Sequence, residues 1–238
     1  EWQATDRLIA TGGVRLSIEN KDFVASRTIG PFGAGALGPI DTSLDDTVLT
    51  GDLSVNYELI EQVNLFARYS RGFRAPNVQG RIVFGDVVTV ADTETIDSID
   101  VGFKSRFLDG RGTLNATAFI FETQNQQLTA VGGAGNFNQL LNAEAVGGKG
   151  IEIDASLAPT DYIELTAGFS INETEIYDGG LEVGACAAAC TILDPINPVT
   201  GNAQIDGNAL PQAPKYIANA SARYGIPVST SGEFFVFA

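Results

Sequence analysis

The sequence predicts an all-β protein, an antiparallel sheet of the transmembrane-barrel kind, on three observations. Apolar and polar residues alternate with the two-residue period of a strand along most of the chain. Short turns and long polar connections follow one another in strict succession, which gathers the turns at one end of the sheet and the loops at the other. The polar side of the alternation also carries full charges. A dry core would leave these unpaired at a cost of several kcal/mol, whereas a water-filled or plugged lumen accepts them.

The first strand starts at Leu8, with Ala10, Val14, Leu16 and Ile18 on its apolar side and Thr11, Arg15, Ser17 and Glu19 on the other. A Gly-rich connection from Asn20 to Asp46 follows. Leu49, Leu53, Val55 and Tyr57 then alternate with Thr50, Asp52, Ser54 and Asn56, and a turn at Glu61-Gln62 leads to Val63, Leu65, Ala67 and Tyr69 against Asn64, Arg68 and Ser70. Phe66 breaks that pattern, and Gly72 and Pro76 end the strand in a polar rim. After a loop up to Thr93, Ile99, Val101, Phe103 and Phe107 oppose Ser98, Asp100, Lys104 and Arg106.

The hairpin signal Leu108-Asp109-Gly110-Arg111 opens the next strand, in which Leu114, Ala116, Ala118 and Ile120 oppose Asn115 and Thr117 while Phe119 and Phe121 interrupt the polar side. A second Gly-rich loop is expected from Thr123 to Gly148. Beyond it Ile151, Ile153, Ala155 and Leu157 oppose Glu152, Asp154 and Ser156, and Ile163 to Ile171 alternate with Glu164, Thr166, Ser170 and Asn172. The longest loop occupies Glu173 to Pro214. Tyr216 to Tyr224 then alternate with Asn219, Ser221 and Arg223, before a ninth strand opens after Ser229–Gly232. Tyr216 and Tyr224 lie roughly 26 Å apart along one apolar side, the span between two membrane interfaces on a tilted strand. The expected lumen-facing charges are Arg15, Asp52, Arg68, Asp100, Lys104, Glu152, Asp154, Glu164 and Arg223.

Of the 238 residues 44% are hydrophobic and 18% charged, yet no run reaches the roughly 18 apolar residues of a membrane helix. The net charge of −15 offers no basic face to neutralise phosphates, which excludes nucleic acid as a partner. With no histidine, the usual base for a Ser or Cys nucleophile and the commonest metal ligand are both missing. Asp45 and Asp46 are adjacent acids in a polar stretch, read as solvated surface. Gly33 to Gly38 fits GxGxxG, but Pro39 follows and neither a helix nor a βαβ unit surrounds it. Gly147-Gly148-Lys149-Gly150 lacks the first Gly and the final Ser or Thr of a phosphate loop. No catalytic site, cofactor or metal is therefore expected. Cys186 and Cys190, three alanines apart in the longest loop, read as a disulfide closing a tight loop ahead of a metal pair or free thiols. The chain begins at Glu1 without a signal sequence and stops at Ala238, directly on the apolar run Phe234-Phe235-Val236-Phe237, and so reads as a fragment of a longer protein.

Tyr69-Ser70-Arg71-Gly72-Phe73-Arg74-Ala75-Pro76-Asn77 closely resembles the YSRGFRAPN signature in the barrel of TonB-dependent outer-membrane receptors. Thr93-Glu94 with Asp100-Val101-Gly102-Phe103-Lys104 is similar to their PE...E-x-G-x-K strand, with Thr for Pro and Asp for Glu. Gly150-Ile151-Glu152 and Leu210-Pro211 to Tyr216 resemble two later strand starts in the family's order. The resemblance implies about nine strands of a 22-stranded barrel, with short periplasmic turns and long extracellular loops. Residues 1–238 would then be a barrel-domain fragment without the plug and TonB box. It further implies energised uptake of a scarce nutrient of the siderophore-iron, cobalamin or glycan class across the bacterial outer membrane. The partners implied are outer-membrane lipid, the TonB complex through the N-terminal part, and a small molecule of unknown identity.

Arg71 and Arg74 are expected to brace the rim against acids such as Glu94, and Phe32, Phe84, Phe137 and Tyr177 to line the vestibule. A passive porin, an adhesin or autotransporter barrel, and a soluble β-protein are the competing readings.

Overall fold

The alternation is realised as one continuous antiparallel ladder. A computed structural model describes residues 1–83, 85–132, 137–185, 192–229 and 232–238, leaving out the side chains of Phe32, Phe137 and Ser229. In chain order the strands are β1 (Trp2–Thr5), β2 (Leu8–Arg27), β3 (Leu37–Ile60), β4 (Val63–Arg74), β5 (Asn77–Gln79), β6 (Thr89–Ala91) and β7 (Glu94–Phe107). They continue as β8 (Gly112–Gly132), β9 (Phe137–Thr160), β10 (Ile163–Tyr177), β11 (Glu182–Val183), β12 (Ala203–Gln204), β13 (Tyr216–Ser229) and β14 (Gly232–Phe237). A ten-stranded sheet runs β1-β2-β3-β4-β7-β8-β9-β10-β13-β14, while β5 with β6 and β11 with β12 form small ladders inside two connections.

The register assigns each residue to a face. Leu53 opposes Tyr69, Tyr69 opposes Ile99 and Ile99 opposes Ile120. Further along the sheet, Ala118 opposes Ile151, Ile151 opposes Ile171 and Ile171 opposes Tyr216. On the other face Arg15 meets Thr50, Asp52 meets Ser70, Arg68 meets Asp100 and Lys104 meets Asn115. Asp154 meets Asn115, Glu152 meets Thr117 and Glu164 meets Arg223 on that same face. Every charge expected on the polar side therefore lies there. Because the side-chain period is two, a slip of one residue would invert both faces.

No other part of the described chain covers the apolar face. Val14 is 85% exposed, Leu16 62% and Ile18 67%, an apolar expanse far larger than a soluble monomer shows. At the loop end this face gives way to charge. The uninterrupted apolar run ends at Ile18 on β2, Leu49 on β3, Tyr69 on β4, Ile99 on β7, Ile120 on β8, Ile151 on β9, Ile171 on β10 and Tyr216 on β13. Tyr216 shares a ladder row with Ile171, Ile151, Ala118, Val101, Ala67, Val55 and Ala10. From β13 to β2 the boundary thus climbs about eight residues, roughly 26 Å, over seven strand spacings, roughly 34 Å. That slope corresponds to strands tilted about 38° from the normal to the boundary, within the roughly 35–45° of a transmembrane barrel.

The phenylalanines that interrupt the polar face have a local cause. Phe66 lies opposite Gly102, Phe119 opposite Gly150 and Phe121 opposite Gly148. Each ring covers the glycine across from it, so closely at Gly102 that a Cβ there would lie 2.8 Å from Phe66. An aromatic ring laid over a glycine shields the bare backbone and fixes register.

Two expectations are corrected. The sheet has ten strands instead of about nine, because Trp2–Thr5 pairs with β2. The stretches read as long loops at Asn20–Asp46 and Thr123–Gly148 are mostly strand, since β2 and β3 span 20 and 24 residues and β8 and β9 span 21 and 24. Their Gly, Asn, Gln and Asp residues are poor strand formers alone, but the neighbouring strand supplies every ladder bond and overrides propensity. Long irregular connections remain at 75–93 and 178–215.

Ala220 lies midway between Tyr216 and Tyr224 on the apolar face. In the full-length protein Ala220→Arg should lower stability in vesicles by about 2–4 kcal/mol, and Asn219→Arg on the polar face by well under 1 kcal/mol. Urea titration of the two variants measures the difference.

Candidate functional site

The Tyr69-to-Asn77 segment straddles a structural change. Tyr69 to Arg74 complete β4, Pro76 cannot donate to a ladder, and Asn77 starts β5, its Oδ1 accepting from the Val78 amide at 2.9 Å. From here the chain turns over the polar face of the sheet. Lys21, which alternation places beside Arg15 on β2, donates to the Pro76 carbonyl at 2.8 Å. Gly80 lies against the Phe23 ring, where a Cβ would clash. Arg27, its side chain only 8% exposed, donates to the Ile82 carbonyl at 2.5 Å and pairs with Asp86 at 2.6 Å.

The returning strand is fastened at the far side. The Thr89 hydroxyl accepts from the Leu140 amide at 2.8 Å, and Asp92 and Asn142 exchange bonds of 2.8 and 3.1 Å. The Thr93 hydroxyl donates to the Asp46 carboxylate on β3. Residues 75–93 therefore form a chord from β2 to β9. In the sheet these strands are five spacings apart, roughly 24 Å.

At the foot of the chord, Glu94 accepts from the Gln127 amide at 2.7 Å and from Gln126 Nε2 at 3.1 Å. Gln127 is 5% exposed, and its Nε2 donates to the carbonyls of Ala75 at 2.9 Å and Asp92 at 3.0 Å. One side-chain amide thus clamps the two ends of the chord. Asn125, at φ 53°, makes this possible: it leaves the ladder between the pairs Gln124–Ala145 and Gln126–Ala143 and turns the following amides toward Glu94.

A hollow of about 530 Å³ on the polar face is bordered by Gly13, Arg15, Asp52, Arg68, Ser70 and Gly72. Arg15 and Arg68 make no ion pair with any described residue. Over β10, residues 178–215 enclose a small core in which Ala143, Val146 and Ile176 are fully or almost fully buried under Leu181, Ile205 and Leu210. In its hairpin Asn197 Oδ1 accepts from the Val199 amide at 2.9 Å, and Gly201 turns the chain at φ 71°. Thr200 and Asn197 donate to Glu182 and hold its carboxyl below the usual carboxylate range.

Arg74 reaches Glu94 at 3.6 Å, as expected. Arg71 also pairs with an acid, Asp97 at 2.7 Å, but from the apolar face, where the ladder puts it. Tyr177 is likewise on the apolar side, opposite Ala145, away from any vestibule on the polar face. Phe84, Cys186 and Cys190 lie outside the described residues, as do the side chains of Phe32 and Phe137. Lys21, Arg27, Gln127 and Asn142 were not singled out from the sequence. All four lie within the stretches read as loop, Asn20–Asp46 and Thr123–Gly148, where no local pattern marks them.

The family description "TonB dependent receptor-like, beta-barrel" matches residues 1–235. The chain belongs to that family. No curated protein matches it. Among solved structures, this TonB-dependent receptor barrel superposes on the ferric yersiniabactin uptake receptor FyuA from Yersinia pestis with a TM-score of 0.72 at 19% identity, covering 98% of this chain and 31% of that one. The ferric-catecholate import receptor Fiu from E. coli gives 0.64 at 16% identity, covering 93% and 30%. The copper transporter OprC gives 0.63 at 20%, covering 94% and 30%. The chain spans about a third of the length of these relatives, and at such identities they share its fold.

In the full-length receptor Gln127→Leu should leave the Ala75 and Asp92 carbonyls without their donor, at a cost of about 1–3 kcal/mol. Hydrogen exchange of the β5 and β6 amides should accelerate about tenfold or more while β7 and β8 stay protected. Glu182 supplies a pH-dependent test. A depressed folded pKa contributes stability that is present above the ordinary value of about 4.3 and is lost as pH falls through the folded value. Exchange at Thr200 and Asn202, measured against Glu182→Gln at each pH, should show protection at neutral pH that is lost as the pH falls below the ordinary carboxylate range.

Proposed function

We propose that this chain is a wall sector of an outer-membrane receptor that imports a scarce nutrient through its lumen, driven by the inner-membrane TonB complex. The polar face is the lumen and the apolar face meets lipid. The chord carries this reading. A segment anchored on β2 and β9 lies across the polar face, so that face is the enclosed one while the apolar face stays uncovered. A lumen enclosed on that side accounts for the ionised groups on it, which hydrocarbon would not accept.

Residues 75–93 and 178–215 supply parts of the outer vestibule. Of the motif, Arg74 to Asn77, with Glu94, carry the chord, while Ser70 and Gly72 border the hollow. Of the nutrient classes carried by this family, an anionic metal chelate fits best, because Arg15 and Arg68 stand unpaired in the hollow beside Ser70. The named cargoes of the similar structures, ferric chelates and copper, lie in the same range.

The test uses cells producing the full-length receptor and a panel of ferric siderophores, cobalamin and oligosaccharides. Uptake of one anionic ferric chelate should stop when a protonophore collapses the proton-motive force. Arg15→Ala with Arg68→Ala should cut that uptake about tenfold at unchanged surface level. Uptake indifferent to the protonophore would make the barrel a passive channel, and no uptake from the whole panel would turn the reading toward an adhesin.

A further inference from the structure

The hollow of about 530 Å³ on the polar face lies entirely on the turn side of the chord. Three successive ladder rows build it: Arg68 opposite Asp100, Asp52 opposite Ser70, and Arg15 opposite Thr50. The next row toward the loops holds Ser17 opposite Val48, the only buried residues of β2 and β3, at 6% and 8% exposure. One and two rows beyond it the chord is fastened to the wall, Thr93 to Asp46 and Lys21 to the Pro76 carbonyl. A solute moving along this wall from the loop end therefore meets the chord before it meets Arg15 or Arg68.

We propose that the hollow is an inner transit station, which takes an anionic metal chelate after its capture at the loop end and passes it on. The proposal rests on the reading of this chain as the wall of an importing receptor, and it gives the hollow no part in capture. Position supplies the first argument, since the chord shields the hollow from outside. Charge supplies the second. Arg15 and Arg68 offer fixed guanidinium donors to an anion, while Asp52 and Asp100 stand in the same three rows and oppose its retention. None of these four groups forms an ion pair with a described residue, so all four act on a solute that enters. A station on a pathway must bind well enough to be entered and weakly enough to be left, and two cations set among two carboxylates meet both demands. A capture site has no use for the opposing acids.

The test uses cells producing the full-length receptor and radioiron-labelled tricarboxylate, tricatecholate and trihydroxamate chelates. Protonophore-sensitive uptake by wild type is scored first; its absence for all three would remove the import reading, and the proposal with it. On de-energised cells Arg15→Ala with Arg68→Ala should bind the imported anionic chelate with a Kd within about twofold of wild type. On energised cells the same variant should lose initial uptake about tenfold. Gly13→Ile fills the hollow and keeps both arginines, because a Cβ there would meet nothing nearer than Asp52 Oδ1 at 3.7 Å. It should give the same split; heat-modifiable migration in gels confirms folding, and the arginine pair carries the test if Gly13→Ile fails to fold. Binding and uptake falling together would make the hollow a capture site, and unchanged uptake would take it off the pathway; either result overturns the proposal.

A second arm tests the shielding without reference to transport. Thr50→Cys, with Cys186 and Cys190 replaced by Ser, is labelled on de-energised cells with a bulky impermeant maleimide. Adding Lys21→Ala and Arg27→Ala, which unfastens the chord from β2, should raise the labelling rate about tenfold. Equal rates with and without the fastenings would show that the chord does not cover the hollow and would overturn the proposal while leaving the import reading in place.

Discussion

Backbone hydrogen bonding in a medium without water is the constraint on which this structure depends. In hydrocarbon every N–H and C=O must find a partner within the protein, and a sheet meets that demand only through its neighbouring strands. The ladder from β2 to β13 satisfies it with few irregularities. Once the register is fixed, the placing of each side chain follows. The sequence can then vary widely, as identities of 16 to 20% with the similar structures show, provided the two-residue rhythm persists.

That rhythm is why so much of the wall was legible. Leu53, Val55 and Tyr57 against Asp52, Ser54 and Asn56 leave no choice of period, and the ladder puts them where alternation says. Legibility failed where the rhythm is masked. At Asn20–Asp46 the rhythm changes sides: Phe23, Ala25, Ile40 and Leu44 stand on the face that is polar elsewhere, Asn20, Asp22, Asp41, Ser43 and Asp45 on the other, and the glycines of the hairpin tip give the stretch the composition of a loop. Phe66, Phe119 and Phe121 are exceptions to the alternation for a reason that appears only when the opposite strand shows a glycine.

The site was legible only in its local part. Arg74 and Glu94 follow from the motif, and they do meet. Arg71 meets an acid too, Asp97, but on the opposite face, as its odd-numbered position with Tyr69 dictates. Gln127 holds the chord by bonding to residues 52 and 35 positions away in sequence, and nothing within a window around it records that. Long-range polar clamps of this kind are set by three-dimensional placement.

The chord has a mechanical side. A tie fixed at both ends limits how far its anchorages can part, so the arc from β2 to β9 behaves as a stiff sector that resists flattening. The sheet from β10 to β14 has no such crossbar among the described residues. Any flexing of the wall would concentrate in that unbraced sector.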